Sequence, residues 1–157
     1  MEVEKRVEDS LTEYVQLLMP RHINGSGRLF GGQLLEWIDM VGGVTARRHS
    51  GHDVITAAID NLQFKEGAYN NDILVLIGRI TYVGNTSMEV RVDTYVEDLS
   101  GMRRPINRAY MVLVALDDEG KPTRVPRLKI ETESQRAEWE GAIKRNELRK
   151  LRRKEGY

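Results

Sequence analysis

From Phe30 to about His49 the apolar residues recur at helical spacing and predict one long α-helix, closed by Ser50-Gly51-His52. On either side the pattern changes to runs rich in β-branched residues. Leu11 to Met19 reads as a short strand stopped by Pro20. Val54 to Phe64, Ile73 to Val83, Ser87 to Val96 and Tyr110 to Leu116 read as four more. The segments between them, Arg21 to Leu29, Lys65 to Asn71, Gly84-Asn85, Leu99 to Pro105 and Asp117 to Gly120, supply the turn residues. After Ile130 a second helical pattern begins, with Trp139, Ile143, Leu148 and Leu151 as its few apolar points. A strand, a long helix and four consecutive strands that look antiparallel predict an α+β layer fold, one helix against one sheet.

At ~100° per residue, Gly31, Ile38, Gly42 and Ala46 fall within about 60° of Leu35 on the helical wheel, and so does Asp39. The stripe expected to face the core therefore contains an acid. An unpaired buried carboxylate is costly or has its pKa pushed up, so Asp39 needs a partner or a chemical role. The same helix carries Gly31, Gly32, Gly42 and Gly43. Each interior glycine costs roughly 1 kcal/mol of helix propensity, which predicts that something packs very close to it.

The 157 residues fit one domain, and no repeat, low-complexity tract or linker divides them. Lys+Arg and Asp+Glu both number 24, so overall charge points to neither nucleic acid nor membrane as a partner. The absence of cysteine removes disulfides, thiolate zinc sites and cysteine nucleophiles. His22, His49 and His52 have no ligand spacing, and no metal is expected. Met1 to Asp9 alternate acid and base with no apolar signal segment, and no run approaches the ~20 apolar residues of a membrane span. A cytoplasmic protein is the expectation.

The chemistry is concentrated before and inside the first helix. Asn24, Gly27, Phe30, Gly31 and Gly32 are followed by Asp39 seven residues after the second glycine. Gly84-Asn-Thr-Ser-Met88 joins the third and fourth strand runs, and Asp117-Asp-Glu-Gly-Lys-Pro122 ends the sheet. In this order the three motifs resemble the hotdog-fold acyl-CoA thioesterases of the acyl-CoA hydrolase type, over about Leu11 to Val125. The chain departs from that pattern at Gly67 and Asn71-Asp72, turn positions neutral for chemistry. The tail after Glu131 lies outside it.

The resemblance implies a hotdog domain over residues 1–130, with an antiparallel sheet wrapped around the long helix; the residue pattern itself adds a basic helical tail over 131–157. It implies hydrolysis of acyl-CoA to fatty acid and CoA, with coenzyme A entering only as part of substrate and product. Asp39 would be general base or nucleophile, and Asn24 of a neighbouring subunit would face it. A backbone N–H of Gly31 or Gly32, at the helix N-terminus, would polarise the thioester. Phe30, Thr86 and Ser87 would line the substrate, and Arg127 and Lys129 are candidates for its phosphates. The protein would be a homodimer assembling to a tetramer or hexamer. The alternative is a hotdog module that binds acyl-CoA as a sensor without cleaving it.

Blander roles stand beside these: a turn for Asn24, close packing for the glycines, ordinary strand polarity for Thr86 and Ser87. His22 is read as an exposed loop residue. From Gly141 to Glu155 the tail has seven Lys/Arg against two Glu. It is read as a solvated helix, with contact to coenzyme A phosphates or a neighbouring subunit as the second possibility.

Overall fold

The computed structural model describes residues 2–60 and 62–157. In chain order the elements are β1 (Glu4–Arg6), α1 (Val7–Ser10), β2 (Thr12–Leu17), α2 (Gly31–Ser50), β3 (Asp53–Asp60), β4 (Ile73–Val83), β5 (Ser87–Glu97), β6 (Arg103–Leu116), β7 (Arg127–Lys129) and α3 (Glu133–Glu155). Five strands form one antiparallel sheet in the order β2-β4-β5-β6-β3. The sheet curls around α2, which touches all five strands. This is the hotdog arrangement. β1 and β7 pair in parallel as a small separate ribbon.

Alternation along the strands divides the sheet into two unlike faces. Met88, Val90 and Val92 of β5 join Ala109, Met111, Leu113 and Ala115 of β6 in the core beneath α2, all fully buried. Each such large apolar side chain stabilises the fold by about 1.5–3 kcal/mol. The helix packs tightly on the sheet at Gly78 of β4. A Cβ there would come 2.5 Å from Thr45 Oγ1 and 2.9 Å from Val41 Cγ1. Gly42 answers the expectation of close packing in the same way, against Met111, whereas Gly43 has open space beside it.

The intervening residues, Glu89, Arg91 and Asp93, face the other way, and Glu89 and Arg91 meet α3. Glu89, 2% exposed, accepts from Thr81 Oγ1 at 2.6 Å, Arg145 Nη2 at 2.8 Å and Arg149 Nη2 at 2.6 Å. Asp93 is held by Arg91 and Arg108, and Glu138 of α3 by Arg91 and Arg145. Arg149 also pairs with Asp60 at the end of β3. Trp139 packs on Tyr82 with ring centroids 4.3 Å apart, and Arg145 lies 3.7 Å over the Tyr110 ring.

Several expectations are corrected. The buried stripe of α2 is Leu34, Trp37, Ile38, Val41, Thr45 and His49, with Gly42 and Ala46 at its margin. Its centre is turned about 80° from Leu35, which leaves Leu35 and Asp39 on the face that this chain does not cover. The basic tail is not simply solvated, because Arg145 and Arg149 are largely buried ion-pair partners. His22 is buried, not exposed. Its ring meets Trp37 edge-on at 5.0 Å, and its Nδ1 accepts from the Met19 N–H at 2.9 Å.

Strand ends also move. β6 begins at Arg103 rather than Tyr110, its polar first half being extended by pairing with β5 across an irregularity at Thr94/Tyr95. β3 ends at Asp60, and residues 62–64 are irregular; Asn61, within the expected run to Phe64, lies outside the described residues, as does Met1.

Candidate active site

The loop before α2 is built by Asn24. Its Oδ1 accepts from the Ser26 N–H at 3.0 Å, the Ser26 hydroxyl at 2.7 Å and the Arg28 N–H at 3.2 Å. Gly27 provides the positive φ of +82° that closes the turn. Backbone bonds from Asn24 N–H to Arg28 O (2.7 Å) and Leu29 N–H to Ala68 O (2.7 Å) pin the loop to the body. The turn therefore occupies the amide oxygen of Asn24 and leaves its Nδ2 donor without a partner among the described residues.

Phe30 is the N-cap of α2 and offers no side-chain cap. The first helical N–H groups with acceptors are those of Gln33 and Leu34, both bonded to Phe30 O. Among the described residues nothing accepts from the N–H groups of Gly31 and Gly32, which lie at the positive end of a twenty-residue helix. A Cβ on Gly32 would lie 2.6 Å from the Phe30 ring, so glycine allows that ring to rest on the first turn. Asn24, Gly31, Leu34, Phe64, Glu66 and Ile106 line a cavity of about 240 Å³ beside this helix end. Here the chain brings together a free amide donor, free backbone donors and apolar walls.

Asp39 sits two turns further along, on the uncovered face. Its Oδ1 accepts from Thr56 Oγ1 at 2.6 Å. Thr56 belongs to β3, next to a bulge at Ala57 where the register with β6 shifts. Bulges of this kind re-aim a neighbouring side chain. Thr56 was not among the expected site residues, and a threonine in a strand gives no local signal.

Asp39 does not line the cavity with Asn24, and no hydrogen bond joins the two. Leu35 and Glu36, one turn before Asp39, are exposed beside it, and Met40 and Val44 are further exposed apolar residues of α2. Among the described residues β3 ends the sheet, with one edge unpaired.

The other expected residues lie elsewhere. Ser87 opposes Val114, and Thr86 O accepts from the Ala115 N–H at 2.9 Å. Since Thr56 opposes Leu113, and Leu113 opposes Met88, the Thr86-Ser87 corner is about two strand spacings, ~10 Å, from Asp39's partner. Arg127 Nη2 donates to Gly84 O at 2.7 Å and Val125 O at 2.8 Å, bracing that corner. Lys129 is exposed on β7. Among the described residues no cluster of three or more His, Asp or Glu is placed to hold a metal, and no helix is long and apolar enough to cross a membrane.

Comparison with known proteins fits this geometry. Residues 26–101 match the Thioesterase superfamily model. The chain is 35% identical over 138 residues to the uncharacterized acyl-CoA thioester hydrolase YkhA of Bacillus subtilis, covering 87% of this chain and 80% of that one. Among solved structures, the acyl-CoA hydrolase of Staphylococcus aureus in complex with butyryl coenzyme A superposes with a TM-score of 0.92 at 33% identity. That match covers 98% of this chain and 94% of the other. A hexameric acyl-CoA thioesterase in its apo form gives a TM-score of 0.92 at 38% identity, with 96% and 97% covered. The chain belongs to the hotdog-fold acyl-CoA thioester hydrolase family, a group of thioester hydrolases.

Proposed function

We propose that this protein hydrolyses acyl-CoA, and that each active site is shared between two copies of the chain. Asp39 of one protomer takes the proton of a water held between its free oxygen and the thioester carbonyl. Thr56 fixes the other oxygen and so the carboxylate's orientation. From the partner protomer, the Gly31 and Gly32 N–H groups and the Asn24 amide donor meet the oxyanion that develops. The tetrahedral adduct then expels coenzyme A as the thiol, and the proton passes to sulfur.

The observation that carries this reading is the division of parts. One chain leaves its donors free at one place and its acid, on the uncovered side of α2 and bonded to the edge strand β3, at another. A second copy covering that face would bring the halves together and bury Asp39 opposite hydrogen-bond donors. The Staphylococcus aureus relative has been solved with an aspartate, an asparagine and a threonine each replaced by alanine. Those are the three side-chain types proposed here. A relative that is a hexamer supports dimers assembling further, and a rat relative named as cytosolic supports a cytoplasmic location.

Thiol release from a panel of acyl-CoA esters tests the activity, and chain mixing tests the shared site. Asp39→Ala and Asn24→Ala chains, each inactive alone, regain activity when refolded together, because a mixed dimer contains one intact site. Absence of rescue in a confirmed mixed dimer rejects sharing. A single turnover in ¹⁸O-labelled water places the label in the product acid; label in Asp39 instead identifies it as the nucleophile.

A further inference from the structure

We infer that this chain selects short acyl groups, and that Phe64 is the residue that sets the limit of length. The inference rests on the thioesterase reading and adds to it the size of the acyl chain. That chain occupies the 240 Å³ cavity at the α2 N-terminus. It therefore lies in the protomer that supplies the Gly31 and Gly32 donors, across the interface from Asp39.

Two kinds of wall enclose the cavity. Leu34, Ala68 and Ile106 are buried and belong to the main core. This side can widen only by disturbing a close-packed interior. The Leu29 N–H, bonded to Ala68 O at 2.7 Å, ties the loop side to it. Phe64 is of the other kind. It lies in the irregular segment after β3, is 53% exposed and stands outside the core cluster. A Cβ on Gly31 would come 3.6 Å from Phe64 Cζ and 3.7 Å from its Cε2. The ring thus turns its far edge toward the residue whose N–H is proposed to hold the thioester carbonyl, where the first acyl carbons must pass.

The chemistry of the walls selects the acyl chain over the rest of the substrate. The polar residues of the lining, Asn24, Arg28 and Glu66, are all exposed, and Glu66 is already paired with Arg104. The buried lining side chains are hydrocarbon only. A pantetheine arm would leave its amides unpaired against them, which is costly, whereas an alkyl chain leaves nothing unpaired. The volume sets the scale. Pockets that take a whole small-molecule ligand span about 300–1,000 Å³, so this one takes part of the substrate, and a short part.

The test compares wild type, Phe64→Ala and Phe64→Trp on straight-chain acyl-CoA esters from acetyl to palmitoyl. In the wild type kcat/KM rises about fourfold with each methylene that finds wall to bury against, then falls once the chain outgrows the cavity. Phe64→Ala moves the maximum to longer chains. Relative to the ester at the wild-type maximum, the one a methylene longer gains about tenfold. Phe64→Trp moves the maximum to shorter chains, and opposite shifts at one position are not produced by a loss of folding. A wild-type maximum at palmitoyl, or a maximum that stays in place in both variants, overturns the inference. So does a loss by the same factor for every ester, which puts the pantetheine arm beside Phe64 instead. A wild type that hydrolyses none of the esters, but binds them with a chain-length maximum that Phe64→Ala moves, refutes the hydrolase reading and leaves the pocket standing.

Discussion

The two long helices lie on opposite faces of one sheet and are held by opposite means. α2 rests on apolar side chains and close contacts such as Gly78 against Thr45 and Val41, and this leaves one of its sides free for chemistry. α3 has only Ala142 fully buried and is tied down by arginines set into a carboxylate-bearing face. Non-directional packing fixes where a helix sits without constraining its polar groups, so Asp39 stays available. Ion pairing fixes α3 through the polar groups themselves, and those paired arginines have little left to do beyond holding the helix.

This contrast fails most visibly if Asp39 proves structural. Asp39→Asn should lower kcat by about 10²–10⁴-fold, the worth of general-base assistance, with the urea midpoint almost unmoved. Loss of folding stability along with activity would erase the distinction between the helices. On the other face, Glu89→Gln leaves Arg145 and Arg149 buried without their counter-charge. The expected cost is about 3 kcal/mol in urea denaturation, with kcat retained where the chain is folded. Burial alone would push the Glu89 carboxyl upward, but hydrogen bonds from Arg145, Thr81 and Arg149 outweigh it and hold it below the ordinary value.

Under α2 the sharpest test of packing is Gly78→Ala. The new methyl meets two stiff β-branched side chains, and overpacking of this kind costs about 2 kcal/mol. The most gradual effect is on pH dependence. Burial holds the His49 imidazole below its ordinary value, against the upward pull of its bond to Pro126 O. The folded chain therefore binds fewer protons than the unfolded one. This contribution is complete above about pH 6.5 and is lost as pH falls from there through the depressed folded value. Melting temperatures taken from about pH 8 to about pH 5 should decline, and His49→Gln should flatten the slope.

Much of the hotdog architecture was legible because it follows periodicity. The long helix, the β2, β4 and β5 runs and the turn at Gly84-Asn85 all declare themselves locally. What was not legible depends on partners distant in the chain. Arg149 meets Glu89 and Asp60, 60 and 89 residues away, so its row of charges reads as a solvated face until the fold supplies the carboxylates. The first half of β6 was read as a turn for the same reason, since Arg103 and Arg104 lack the pattern of a strand and pair across to Glu97 and Val96.

At the candidate site, Asn24, Gly31, Gly32 and Asp39 could be named from their motif. The rotation of α2 could not, because an 80° error on a wheel follows from choosing Leu35 over Leu34 as its centre. Nor could Thr56, whose meaning comes only from the side chain opposite.

A chain that has just folded carries β3 with one side of its backbone bare and Ile55 beside it in water. Such an edge will template pairing with whatever strand it meets first. The interval between folding and meeting a proper partner is then a period of risk, and it shortens as chains become more concentrated. With the active site shared between two copies, as proposed, dilution should act in two ways on the same population, lowering specific activity and raising the share of chains lost to wrong pairing. Yield and turnover would thus be governed by one quantity, the number of like chains within reach.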